Sequence, residues 1–241
     1  MDFPMAKPSR VRRSINNQYS RGGANPIDIH VGAGRVRRFG SPAANIIKRA
    51  ALTSALLIGL AGPAWADFEK GFNAFTRGEY AMAARALRPP AEQGHARAQF
   101  VLGYLYQVGQ GVPQDFAEAE KWYRKAAEQG NAKAQYNLGV LNHYGWGVPQ
   151  DHAEAAKWYR KAAQQGNAHS QNSLGVLRWK GHGIAQDYAK AYKWFSLAAV
   201  SFAAGAHRDR AVKSRNAMAE KLTPAKLTEA ERLTRQWKQQ K

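Results

Sequence analysis

Phe100–Gln135 reads FVLGYLYQVGQGVPQDFAEAEKWYRKAAEQGNAKAQ, and Tyr136–Gln171 reads YNLGVLNHYGWGVPQDHAEAAKWYRKAAQQGNAHSQ. The two match at 24 of 36 positions. A third copy opens at Asn172 (NSLGVLRWKGHGIAQDYAKAYKWFSLAA), and 13 positions are identical in all three. Among these are Leu102, Leu138 and Leu174; Gly103, Gly139 and Gly175; Asp115, Asp151 and Asp187; and Trp122, Trp158 and Trp194. Near-identity at a fixed spacing marks tandem units that bury their apolar faces against one another.

Each copy reads as two helices. In the second, Gly130 closes the preceding helix and a first helix follows over about 131–144. Gly145-Trp146-Gly147-Val148-Pro149 interrupts it, because two glycines and a proline do not continue a helix cheaply. Asp151 then stands at an N-cap, with Glu154 three residues on at capping-box spacing. Asp115 and Asp187 hold the same position, so these carboxylates read as caps rather than catalytic groups. Ala155, Trp158, Tyr159, Ala162 and Ala163 share one face of the second helix. The small residues let helix axes approach, and the tryptophan fills the space between. The expected fold is all-α: a right-handed superhelical solenoid of antiparallel helix pairs with a C-terminal helical cap.

The pattern LGxLxxxGxG(V/I)xQDxxxAxxW(Y/F)xxAA, at 102–127, 138–163 and 174–199, resembles the Sel1-like repeat family, a relative of the tetratricopeptide repeat. The resemblance implies a scaffold for protein contacts. Cysteine-rich relatives are associated with β-lactam hydrolysis through paired cysteines. This chain has no cysteine, which also excludes disulfides and thiolate metal sites.

The flanks differ from the repeats. Phe68–Gln99 reads as a tetratricopeptide-like pair in which Pro89 and Pro90 kink or stop the second helix. Beyond the third copy a helix over about 207–222 is expected. A last helix then opens at Thr223-Pro224 and carries Leu227, Ala230, Leu233 and Trp237 on one side. The divisions expected are 1–47, a basic disordered extension; 48–66, an export signal; 67–99, the first pair; 100–135, 136–171 and 172–206, the repeats; and 207–241, the cap.

The export signal rests on Lys48 and Arg49, the apolar run Ala50–Leu60, the breaker Gly62-Pro63 and Ala64-Trp65-Ala66, with cleavage before Asp67. The run is too short to span a bilayer, which takes about 20 residues. A leader of 66 residues is long, so either its basic segment is extended or translation starts downstream. A start at Val31 or Val36 is the expectation, since no Met lies between Met5 and Met82. The whole chain carries 36 basic and 17 acidic residues, net +19. From Asp67 onward the figures are 26 and 15, net +11.

No catalytic, cofactor-binding or metal-ligating set emerges. The histidines form no H-E-x-x-H pair, although His143 and His182 can approach across neighbouring repeats. Where the copies disagree, a partner can be read: Tyr106, His143, Tyr144, Trp146, Arg178, Trp179 and His182 sit at the end of the first helix and in its loop, the side that lines the concave face in such solenoids. Tryptophan and arginine are favoured contact anchors. The expectation is an exported, non-enzymatic adaptor, periplasmic or secreted, that binds a protein or peptide. Its charge allows weak contacts to anionic polymers or lipids. No specific nucleic-acid module and no transmembrane span is expected.

Overall fold

The computed structural model describes residues 62–239, with side chains described for 66–237. The extension, the apolar run and the candidate downstream starts lie outside the described residues. Among the latter the chain is wholly helical: α1 Gly62–Thr76, α2 Tyr80–Glu92, α3 Ala96–Val108, α4 Phe116–Glu128, α5 Ala132–Tyr144, α6 His152–Gln164, α7 Ala168–Lys180, α8 Tyr188–Ser201, α9 Ala206–Ala219 and α10 Pro224–Gln239. Consecutive helices pack as hairpins (α1/α2, α3/α4, α5/α6, α7/α8), and each hairpin stacks on the next. None of the described helices is long and apolar enough to cross a membrane.

The caps set the helix ends. Asp151 accepts from the backbone N–H of Ala153 at 2.8 Å and of Glu154 at 2.9 Å, and Asp115 and Asp187 cap α4 and α8. The capping box is only half built. The Asp151 N–H already donates to the Asn142 carbonyl at 2.8 Å, closing the loop. Glu154 therefore turns outward and pairs with Lys157 at 2.9 Å. Asn131 and Asn167 cap α5 and α7 in the same way.

Two kinds of glycine shape the stack. A Cβ on Gly139 would lie 2.6 Å from the Tyr159 ring, so glycine is what lets α5 and α6 touch. Gly147 has φ +72°, and its Cβ would meet the Phe116 carbonyl carbon at 2.4 Å. That loop is thus pressed onto the start of the previous hairpin's second helix. Leu102, Leu138 and Leu174 are buried, as are Trp122, Trp158 and Trp194.

A run of side-chain amides ties hairpin to hairpin. Gln99 and Gln135 donate to the carbonyls of Ala91 and Ala127, at 2.9 and 3.0 Å. Each also accepts from a glutamine at the end of its own hairpin's second helix: Gln129 to Gln99 at 2.7 Å, Gln165 to Gln135 at 2.8 Å.

Two expectations need correction. Pro89 and Pro90 lie inside α2, which continues to Glu92. Each removes one helix N–H, but the end of the helix is still closed, because their carbonyls accept from the N–H groups of Gln93 and His95. Gly62 and Pro63 lie at the start of the described part of α1, and the apolar run that they follow lies outside the described residues. The structural units also begin four residues earlier than the written copies, at Ala96, Ala132 and Ala168, the first residues of α3, α5 and α7; Phe100, Tyr136 and Asn172 all fall inside helices.

The cap is not a simple continuation. α9 packs on α8, but α10 turns back and also packs on α8. Ala230 and Thr234 of α10 are buried. Trp237 meets Trp194 edge to face, with ring centroids 5.2 Å apart.

Candidate functional site

The loops after α3, α5 and α7 gather a chain of rings that crosses three hairpins. Phe116 lies against Trp146 at 5.7 Å between centroids, Trp146 stacks on Tyr144 at 4.8 Å, and Tyr144 meets His143 edge to face at 4.6 Å. His143 then approaches His152 at 4.7 Å, and His152 stacks on His182 at 5.1 Å. His143 and His182 are not in contact with each other in this run; His152 stands between them.

The three imidazoles are close, and two of them are unsupported. The Nδ1 atoms of His143 and His152 are buried with no hydrogen-bond partner. Burial, followed by the nearby His152, His182 and Lys180, pushes the His143 pKa down to about 4. The ring is therefore neutral at physiological pH. Among the described residues no group of three or more His, Cys, Asp or Glu side chains is arranged to hold a metal ion.

A second feature lies where α10 returns. A groove of about 370 Å³ is lined by Arg160 and Gln164 of α6, Arg178 of α7, Lys190, Lys193 and Trp194 of α8, and Leu233 and Trp237 of α10. Lys193 Nζ sits 4.8 Å from the Trp194 ring centroid and 4.6 Å from that of Trp237.

The profile of the Sel1 repeat family matches residues 96–131, 132–167 and 168–199. This chain carries three Sel1 repeats. Their bounds follow the hairpins α3/α4, α5/α6 and α7/α8. A solved Sel1 repeat protein from Oxalobacter formigenes is similar at 37% identity and a TM-score of 0.57, covering 62% of this chain and 57% of that one. The structure of c5321, a protective antigen present in uropathogenic Escherichia coli strains displaying an SLR fold, is similar at 42% identity and a TM-score of 0.56. That match covers 63% of this chain and 33% of the other, so this chain spans about half and a third of the two relatives. No curated protein matches.

The Sel1 repeats place the partner candidates unevenly. His143, Tyr144, Trp146 and His182 come together in the ring chain. Tyr106 does not join them; its hydroxyl accepts from Arg88 at 2.6 Å, binding the first Sel1 repeat to the preceding hairpin. Trp146 packs partly buried against the core, and Tyr144 and Trp179 are the exposed aromatics, at 43% and 39%. Arg178 donates to the Ala185 carbonyl at 3.0 Å and lines the groove.

Sequence reasoning missed Phe116 and His152, which open the second helices of their repeats, and the groove residues Arg160, Lys193 and Trp237. For all of these but Trp237, which has no copy, comparing copies along the second helix, and not only along the first, supplies the missing signal. Glu118 and Glu154 are replaced by Lys190, and Glu120 is replaced by Ala156 and Tyr192. Ala64, Ala66 and Asp67 all fall within α1.

Proposed function

We propose that this Sel1 repeat protein is an exported, non-enzymatic adaptor of the cell envelope that holds a protein or peptide partner on its loop face. The observation that carries this reading is the ring chain, which joins side chains of three hairpins and includes the exposed Tyr144; Trp179, which holds the place of His143 in the third repeat, is exposed as well. Repeat arrays present extended surfaces of this kind, and large aromatic residues dominate binding energy.

The export part of the proposal rests on the charge, apolar run and A-x-A pattern ahead of Asp67. Cleavage there leaves the packed part of α1 intact: Phe68 is buried and stacks on His95 at 4.1 Å.

The test is affinity capture from a periplasmic extract, with Tyr144→Ala/Trp179→Ala as the comparison. Both side chains are exposed, so the variant is expected to keep its helical circular dichroism and thermal midpoint. Saturable capture of a defined envelope protein, weakened at least tenfold in the variant, is the expected result. Undiminished capture by a folded variant rules this face out. Intact mass of the exported protein, beginning at Asp67, checks the leader.

A further inference from the structure

The groove at the return of α10 has an electrostatic character the other repeats lack. In the first repeat, Arg124 is held by Glu120, four residues before it, with Nε to Oε1 at 2.8 Å. In the second repeat the matching arginine is Arg160, and the matching acid is Ala156. Arg160 makes no hydrogen bond or ion pair among the described residues.

The same loss recurs one helix on. Lys121 pairs with Glu118 at 2.6 Å and Lys157 with Glu154 at 2.9 Å. In the third repeat the matching lysine is Lys193, and the matching acid has become Lys190. Lys190 itself pairs with the capping Asp187 at 2.9 Å. Lys193 is left with two indole faces. Burial, and then Lys190, lower its pKa from the ordinary lysine value. No carboxylate lines the groove. Two cations have thus lost their in-helix acids at the one place where α10 supplies an aromatic wall.

We propose that this groove binds an acidic peptide segment, its carboxylates on Arg160, Arg178 and Lys193 and a neighbouring apolar side chain against Trp194, Trp237 and Leu233. This deepens the adaptor reading by assigning the partner's chemistry to a second surface. Guanidinium forks match carboxylates in a bidentate fashion, and a few hundred cubic ångströms admits a couple of side chains. A trough walled on one side by a helix suits an extended chain better than a flat bilayer. The occupant is not this chain: residues 1–61 carry 10 basic and 2 acidic side chains, and a second copy brings net +19, or +11 from Asp67 onward.

The test uses the full chain and a labelled peptide, acetyl-Glu-Leu-Glu-Glu-Leu-Glu-amide, with its Gln-for-Glu twin, inorganic phosphate and phosphatidylglycerol vesicles as parallel probes. The variants are Arg160→Ala, which removes an exposed side chain, and Lys190→Glu, which installs the acid found at that position in the other two repeats. Both are compatible with the fold, as thermal unfolding will verify. Arg124→Ala is the control outside the groove.

Fluorescence anisotropy is expected to show the acidic peptide binding at least tenfold tighter than its twin. Each groove variant should lose that preference at least tenfold, and Arg124→Ala should keep it. Equal binding of the two peptides, or unchanged affinity in both groove variants, overturns the proposal. Vesicle binding without peptide binding overturns it in favour of a membrane surface. If Lys190→Glu and Arg160→Ala leave capture of the envelope partner intact while Tyr144→Ala/Trp179→Ala abolishes it, the adaptor reading stands and the groove assignment falls.

Discussion

Trp158 is 5% exposed, and its indole Nε1 is buried without a hydrogen-bond partner. Its contribution is therefore volume and contact area, together with the Lys161 ammonium 4.1 Å from its ring centroid. Trp158→Ala is expected to destabilise the fold by about 3–5 kcal/mol, read by chemical denaturation. His143 adds a pH dependence whose sign is fixed. Its folded-state pKa, about 4, lies below its ordinary 6.5. The neutral ring is favoured by folding, so its contribution is complete above about pH 6.5 and is lost as the pH falls toward 4. The thermal midpoint should drop across that window. His143→Gln should flatten the drop, because the first repeat has Gln107 there, accepting from the Tyr123 hydroxyl at 2.6 Å. That pair also shows why disagreement between copies is an imperfect guide to binding residues. Gln107 faces Tyr123, His143 lies near Tyr159, and at the third pair of positions stand Trp179 and Phe195. A position can differ between copies and still face its own hairpin, and only coordinates show which positions do so.

Helices and their loops were legible because each copy carries its own punctuation. Asp115, Asp151 and Asp187, the glycine pairs and the Trp-centred face fix the second helices, their starts and their buried sides. The register of the unit was less legible, since a repeat can be cut at any phase and only the hairpin contacts define its start. The amide run between hairpins was not legible at all, because glutamine in sequence carries no mark of its partner. That run stops at the third repeat. Where Gln129 and Gln165 stand in the earlier repeats, Ser201 follows in the third. Gln171 still donates to the Ala163 carbonyl, at 3.4 Å, but its Oε1 is buried without a partner. Ser201→Gln should supply the missing donor and stabilise the protein by about 1 kcal/mol, measured by the shift of a urea midpoint.

At the scale of the molecule, repeats couple to their neighbours and stability approximates a sum over hairpins and interfaces. The return of α10 departs from that rule, and it was illegible for the same reason: with no copies to compare, Leu227, Ala230, Leu233 and Trp237 specify an apolar side but not the helix it meets. Ending the chain after Leu222 should uncover Trp194, red-shift tryptophan emission and cost about 2–4 kcal/mol, given roughly 1.5–3 kcal/mol for each fully buried apolar side chain. Amide exchange in α3–α6 should change little if the coupling is local. The contact of α10 with α8 also encloses α9 in a closed loop of chain. Stretched between its termini, the array should peel from the amino end one hairpin at a time, while the segment from α8 onward resists as a single clasp and releases in one larger step.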